Sequence, residues 1–247
     1  MAPKTSQTGR YGQYCPLALA AELLCERWTL LVVSRLLDGC RSFNEIHRGL
    51  PRISPSLLTK RLRELERAGL LARHRPTGEK HYRYEPTPAA LELNPMVDGL
   101  ASWGQRWGRD MVLDDLDPAF LAWSMSYRLD TDRMPRGRTV IGFEFSGAPA
   151  ELSGFWLIHE DGDVQMCLKD PGYDPDLVVQ SDLRRFVEAW RGIRRLRDEI
   201  ADGRLQLFGP PELTRAFPSW LQLSGFAGER RLEGQEHGLQ QSSRPTN

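Results

Sequence analysis

Apolar residues recur with two different periods along this chain, and the change of period divides it. In the first part the spacing is three and four residues, the mark of amphipathic helices. Leu17, Ala20, Ala21 and Leu24 predict a helix opened by Cys15-Pro16 and running through LALAAELLCE, and the run TLLVVSRLL predicts a second over 29–37, ended by Asp38-Gly39. Trp28 is read as a large apolar anchor between them. Phe43, Ile46 and Leu50 mark a short helix over 43–49, with Ser42 as cap and Glu45 completing a capping box. Leu58, Leu62 and Leu65 mark a longer helix over 54–68. Ser54 is its N-cap, Pro55 sits at the first helical position, where a missing N–H costs nothing, and Gly69 ends it. Leu71–Arg75 and His81–Glu85 are predicted to pair as strands around Pro76-Thr77-Gly78-Glu79. Met96, Leu100, Trp103 and Trp107 make a further helical stripe within 88–109, where Pro95 kinks or restarts the helix.

Beyond about residue 118 the texture changes. Phe120, Trp123 and Tyr127 predict an amphipathic helix, and then TVIGFEFS over 139–146 alternates in the two-residue period of a strand. Residues 153–159 and 164–169 predict a hairpin around Glu160-Asp161-Gly162-Asp163, and 176–180 a short strand. Asp182 caps a helix carrying Leu183, Phe186, Val187 and Trp190. A helix over 194–202, a strand over 205–208 and a helix opened by Pro210-Pro211 and running to about 223 complete the pattern. The predicted class is α+β. The predicted divisions are a loose N-terminus (1–14), a helical domain (15–110), an acidic joint (111–117), a mixed domain (118–227) and a polar, disordered tail (228–247).

Net charge is zero, with 33 Lys/Arg against 33 Asp/Glu, and the zero hides an asymmetry. Residues 1–110 hold 17 basic and 11 acidic side chains, while 41–83 alone hold 11 and 4, and the second half is acidic. Charge segregated in this way points to a nucleic-acid face on the first half only. A short helix, the connection Leu50-Pro51-Arg52-Ile53 and a longer basic helix form a helix-turn-helix, and a basic hairpin directly after it is a wing. The recognition helix 54–68 is expected in the major groove, with Ser56, Thr59, Lys60 and Arg63 reaching bases or phosphates. Arg52, Arg73, Arg75, Lys80 and Arg83 are expected on the backbone, the last four with the wing over 71–85.

The series Cys15-Pro16, Arg27-Trp28-Thr29-Leu30-Leu31, Leu37-Asp38-Gly39, Arg41-Ser42-Phe43-Asn44-Glu45-Ile46, Ile53-Ser54-Pro55, Arg61-Leu62-Arg63-Glu64-Leu65-Glu66, Ala68-Gly69-Leu70, Tyr82-Arg83-Tyr84 and Pro86-Thr87-Pro88 closely resembles the HxlR-type winged-helix transcription regulators. The resemblance covers about 12–110. It implies a homodimeric regulator of double-stranded DNA whose interface combines the first helix with the segment after the wing. Leu17, Met96, Leu100, Trp103 and Trp107 are the interface candidates. The second half resembles the sterol-carrier-protein-like fold, carried by Asp176-Leu177-Val178-Val179, Ser181-Asp182-Leu183, Trp190-Arg191-Gly192, Ala201-Asp202-Gly203-Arg204-Leu205 and Phe208-Gly209-Pro210-Pro211-Glu212-Leu213. That resemblance implies a sheet with helices over one face and often an apolar tunnel for a small hydrophobic ligand. Trp123, Phe143, Phe145, Trp156, Met166, Phe186 and Trp190 are the lining candidates, and filling an ordinary core is the competing role for each.

Chemistry elsewhere is thin. The five histidines are scattered, no glycine loop cradles a phosphate, and no Ser or Cys has a nucleophile's setting, so neither an enzyme nor a cofactor or metal is expected. Without an apolar run of membrane-spanning length or a secretory leader, a cytoplasmic protein with no membrane partner is expected. Cys15 stands before Pro16 at a helix N-terminus, where the helix dipole favours a thiolate. The resemblance extends an oxidant-sensing role to it. The rival from another class is a carrier of lipid-like molecules in which the winged helix only dimerises.

Overall fold

A computed structural model describes residues 10–78, 80–149 and 151–229. The first nine residues and most of the tail predicted to be disordered lie outside these. The first half is helical: α1 (Pro16–Leu24), α2 (Thr29–Leu37), α3 (Phe43–Arg48) and α4 (Pro55–Arg67) precede the strands β1 (Leu71–His74) and β2 (Arg83–Pro86), then α5 (Pro88–Leu91) and α6 (Asn94–Trp107). The capping box forms: Glu45 N–H donates to Ser42 Oγ, and Glu45 accepts from the Ser42 and Arg41 N–H groups. Burial works to raise the Glu45 carboxyl, but those N–H bonds outweigh it and hold the group below its ordinary value. Ser54 caps α4 by accepting from Leu57 N–H, and Gly69 leaves the helix at φ +74°, in the left-handed region that glycine tolerates. Trp28 takes φ +79° in the turn between α1 and α2, and its carbonyl starts α2 by accepting from Val32. It is half-buried against the first core. Pro95 restarts rather than kinks the stripe: the helix is interrupted by a turn at Glu92 and Leu93, and α6 begins at Asn94.

The second half opens with α7 (Pro118–Ser126) and then builds one sheet from β3 (Arg138–Ser146), β4 (Gly154–Glu160), β5 (Asp163–Cys167), β6 (Leu177–Asp182) and β7 (Leu205–Phe208). Its order is β5-β4-β3-β6-β7, with β3 and β6 parallel and the other neighbours antiparallel. Alternate residues Ile141, Phe143 and Phe145 of β3, Phe155 and Leu157 of β4, and Leu177 and Val179 of β6 supply one buried set. Over them lie α7, α8 (Leu183–Trp190) and α10 (Pro211–Trp220), with α9 (Leu196–Ala201) beside β7. Asp182 caps α8 by accepting from Arg185 N–H. The last helix ends at Trp220, three residues short of the predicted end, and the helix expected over 194–202 is shorter at both ends.

Two buried clusters result, one in each half, and α7 belongs to both. Leu121, Ala122 and Met125 are buried in the second, whereas Trp123 is buried in the first, against Gly49. The expected amphipathic helix with a polar face is therefore corrected: α7 buries residues nearly all round because it has a core on either side. Arg35 of α2 lies over the Trp123 ring at 4.2 Å and the Phe120 ring at 5.8 Å, and pairs with Asp38 at 3.1 Å. Burial works against both charges of that pair. The expected joint is packed as well. Leu116 is buried in the second core, Arg109 bonds Asp115 and holds its carboxyl well below the ordinary range, and Gln105 of α6 bonds the backbone and side chain of Arg191.

Candidate nucleic-acid interface

The recognition helix presents a row and hides a lock. Leu58, Leu62 and Leu65 are buried, and Ser56, Lys60 and Arg63 stand exposed on the other side. Thr59 is half-buried, and its hydroxyl donates to the Pro55 carbonyl. Arg67 continues the exposed row one turn on and is missing from the sequence expectation, although the spacing of Lys60 and Arg63 extends to it. Arg61 is the opposite case. It reads as one more basic residue of this helix, yet its side chain is 7% exposed. Its Nε donates to the Arg27 carbonyl at 2.9 Å, and its Nη atoms bond Glu64 at 2.5 Å and Glu26 at 2.9 Å. It ties α4 to the strained turn at Arg27-Trp28 and sets where the exposed row points.

The wing is shorter in pairing and longer in loop than expected. The strands pair Leu71 with Pro86 through His74 with Arg83, so the first predicted strand loses Arg75 and the second runs over Arg83–Pro86 instead of 81–85. Arg73 and Arg75 both lie over the Tyr82 ring, at 4.6 and 4.9 Å, and Arg73 also pairs with Glu66 at 3.3 Å. Stacking on one ring holds two cations together at the wing. Lys80 is exposed. Arg83 is half-buried at the loop end of the hairpin, opposite His74 and bridged to Ser42. Arg52 departs from its expected role in one respect: it is exposed but paired with Asp117 at 3.2 Å.

A second surface is apolar and uncovered. No residue of α1 is buried, although the helix is almost wholly apolar, and Leu17 is 76% exposed. Met96, Leu100, Trp103 and Trp107 of α6 are exposed too, Trp103 at 57%. Cys15 is exposed at the start of α1.

The family model of HxlR-like helix-turn-helix proteins matches residues 23–111. YvaP of Bacillus subtilis, described as an uncharacterized HTH-type transcriptional regulator, is 32% identical over 111 residues, which are 44% of this chain and 95% of YvaP. The chain belongs to the HxlR-like helix-turn-helix family. A second HTH-type transcriptional regulator, from Methanothermobacter thermautotrophicus, is 35% identical over 38% of this chain and 72% of its own length. Among solved structures, the reduced form of the transcriptional regulator YodB from B. subtilis is 30% identical over 38% of this chain and 95% of YodB, with a TM-score of 0.34. The HxlR-like match accounts for the helix-turn-helix and the wing and ends before α7 begins.

The residues expected to line one apolar pocket are divided: Phe143, Phe145 and Trp156 border one groove and Trp123 and Trp190 another. Phe143, Phe145 and Phe186 pack on one another with ring centroids 5.3 to 6.3 Å apart and fill the core between sheet and helices. Met166 packs against both cores from β5. Trp156 alternates to the other face of the sheet, against Gly142. There a groove of about 770 Å³ is lined by Trp156, Glu144, Gln180 and Gln206. Trp123 and Trp190 instead border a cleft of about 920 Å³ between the halves, with Phe120, Tyr127 and Asp98. The period of a strand or helix assigns a residue to a face, and only packing decides what that face meets. Among the described residues no His/Cys/Asp/Glu group has the arrangement of a metal site, and no helix is long and apolar enough to cross a membrane.

Proposed function

We propose that this chain is a homodimeric DNA-binding transcription regulator that places α4 in the major groove and the wing on the backbone. The observation that carries the reading is the exposed row Ser56, Lys60, Arg63 and Arg67 on a helix whose other side is fixed by three leucines and Arg61. A module that only dimerised would need no such row. Dimerisation through α1 and α6 is supported by their uncovered apolar residues, which one copy of the chain leaves in water. Two copies would set two recognition helices about one helical turn apart on a partly palindromic site.

The second half is the candidate for control, and its helix-covered sheet supports the sterol-carrier-like reading. The place for a small hydrophobic ligand is the cleft between the halves rather than a tunnel within the sheet, because phenylalanine rings fill the latter. The exposure of Cys15 favours oxidant sensing as a second route of control.

Salt titration of binding to DNA upstream of the protein's own gene, against a random duplex of equal length, tests the regulator. A specific complex with a steep salt slope is expected. Arg63→Ala should weaken the specific complex by about 1–3 kcal/mol, and Lys80→Ala should weaken both complexes alike and flatten the slope by roughly one. Absence of binding to either duplex at low salt would refute the reading in favour of the carrier.

A further inference from the structure

The connection into the recognition helix carries one cation, Arg52, and the second half of the chain holds it. Arg52 Nε donates to Asp117 Oδ2 at 3.2 Å. The other oxygen of that carboxylate accepts from the Ala119 and Phe120 N–H groups at 3.0 and 3.2 Å and so caps α7. The arginine side chain remains 54% exposed and the aspartate only 16%. Asp117 is also fixed from behind. Trp123, two turns along the same helix, is buried in the first core against Gly49, where even an added Cβ would stand 2.9 Å from the indole Cε2. A rigid carboxylate thus sits on a solvent-exposed guanidinium at the entry to the recognition helix. Guanidinium N–H groups bind carboxylate and phosphate oxygens by the same charge-assisted bonds.

We propose that Asp117 occupies the place of a DNA phosphate on Arg52, an autoinhibitory contact through which α7 lets the second half of the chain set the DNA affinity of the first. The proposal rests on the reading of the first half as DNA-binding. In the free protein Arg52 is neutralised by Asp117. A phosphate can pair with Arg52 only by displacing this carboxylate, and while Asp117 holds the arginine that phosphate keeps its condensed cation, so the contact adds no share of counterion release. The cleft between the halves is lined by Asp117, Phe120 and Trp123 of the same helix, so a molecule bound there would act directly on this contact.

The test uses the full chain, a random-sequence duplex and a salt titration, because a phosphate contact needs no particular sequence. Asp117→Asn removes the charge and keeps an oxygen for the cap, Asn being as good an N-cap as Asp. It should bind DNA up to about fivefold tighter at low salt, the ceiling for an exposed ion pair, and steepen the slope of log K against log salt by about 0.9. In an Arg52→Gln background the same substitution should change neither quantity. An Asp117→Asn protein with unchanged affinity and slope, alongside a wild type that binds, would overturn the contact and leave the regulator reading intact. A gain that persists without Arg52 would also overturn it, since the aspartate would then act through its general charge. Failure of both wild type and variant to bind any duplex would refute the DNA-binding reading itself and the contact with it.

Discussion

Removing the guanidinium of Arg61 should cost this chain more than removing any other arginine of the recognition helix. The side chain is 7% exposed and makes bonds to the Arg27 carbonyl, Glu26 and Glu64. Truncation of a fully buried ion pair costs roughly 3–5 kcal/mol because a charge is stranded. Here the stranded groups are less costly: Glu26 is 53% and Glu64 33% exposed, and water can reach both. What is lost outright is a charge-assisted bond to a backbone carbonyl, worth about 1.5–3 kcal/mol, and the packing of the arginine stem. Arg61→Ala is therefore expected to lower stability by about 2–3 kcal/mol, or a melting shift of roughly 4–12 °C for a chain of this size. Glu26→Gln, at an exposed partner, should cost about 1 kcal/mol or less. Arg61→Lys should recover less than half of the loss, because one ammonium cannot meet a carbonyl and two carboxylates in the arginine's planar geometry. Thermal and urea unfolding followed by circular dichroism would measure all three. An Arg61→Ala protein within about 0.5 kcal/mol of wild type, or a lysine variant equal to it, would refute the argument that this side chain locks α4 to the turn at Trp28.

The uncovered stripe of α6 predicts that Trp103→Ala weakens self-association by about 2 kcal/mol, roughly thirtyfold in Kd, read by sedimentation; an unchanged Kd would place the interface elsewhere. Tyr127 is 54% exposed as a residue, yet partial burial of its phenol and the Cys40 thiol push that group from its ordinary 10.0 up to about 12. Because the folded protein favours the neutral phenol, this contribution to stability is complete below pH 10 and falls away as pH rises through about 12. Burial pushes the Tyr84 phenol up as well, so an ultraviolet titration should show a step near 12 that Tyr127→Phe diminishes. Burial also pushes the Cys40 thiol up, so a thiol reagent should reach the exposed Cys15 and Cys25 first and Cys40 only on unfolding.

Much of the local structure was legible without coordinates. The capping box at Ser42 and Glu45, the Ser54-Pro55 start and Gly69 end of the recognition helix, and the Asp182 cap each depend on residues within a turn of one another. Local bonds specify such features wherever the segment sits. The alternation in 139–146 likewise decided that β3 has two faces, and the period of α4 that Ser56, Lys60 and Arg63 share one. The wing was legible as a hairpin but not in its ends, since cation–ring stacking at Tyr82 leaves no periodic trace.

What each face meets is a different matter, and only the tertiary structure decided it. Arg61 lies beside the leucine stripe, and nothing in its own turn says that the Arg27 carbonyl and Glu26 will stand opposite it. Trp123 and Leu121 are near neighbours on one short helix, yet the first enters one core and the second the other. Arg52 and Asp117 are 65 residues apart and become partners only because α7 docks on α3. The proposed pocket residues divide between two cavities and the core for the same reason. Hydrophobic burial has no direction of its own, so apolar periodicity predicts that a side chain leaves water and leaves open which neighbours it finds.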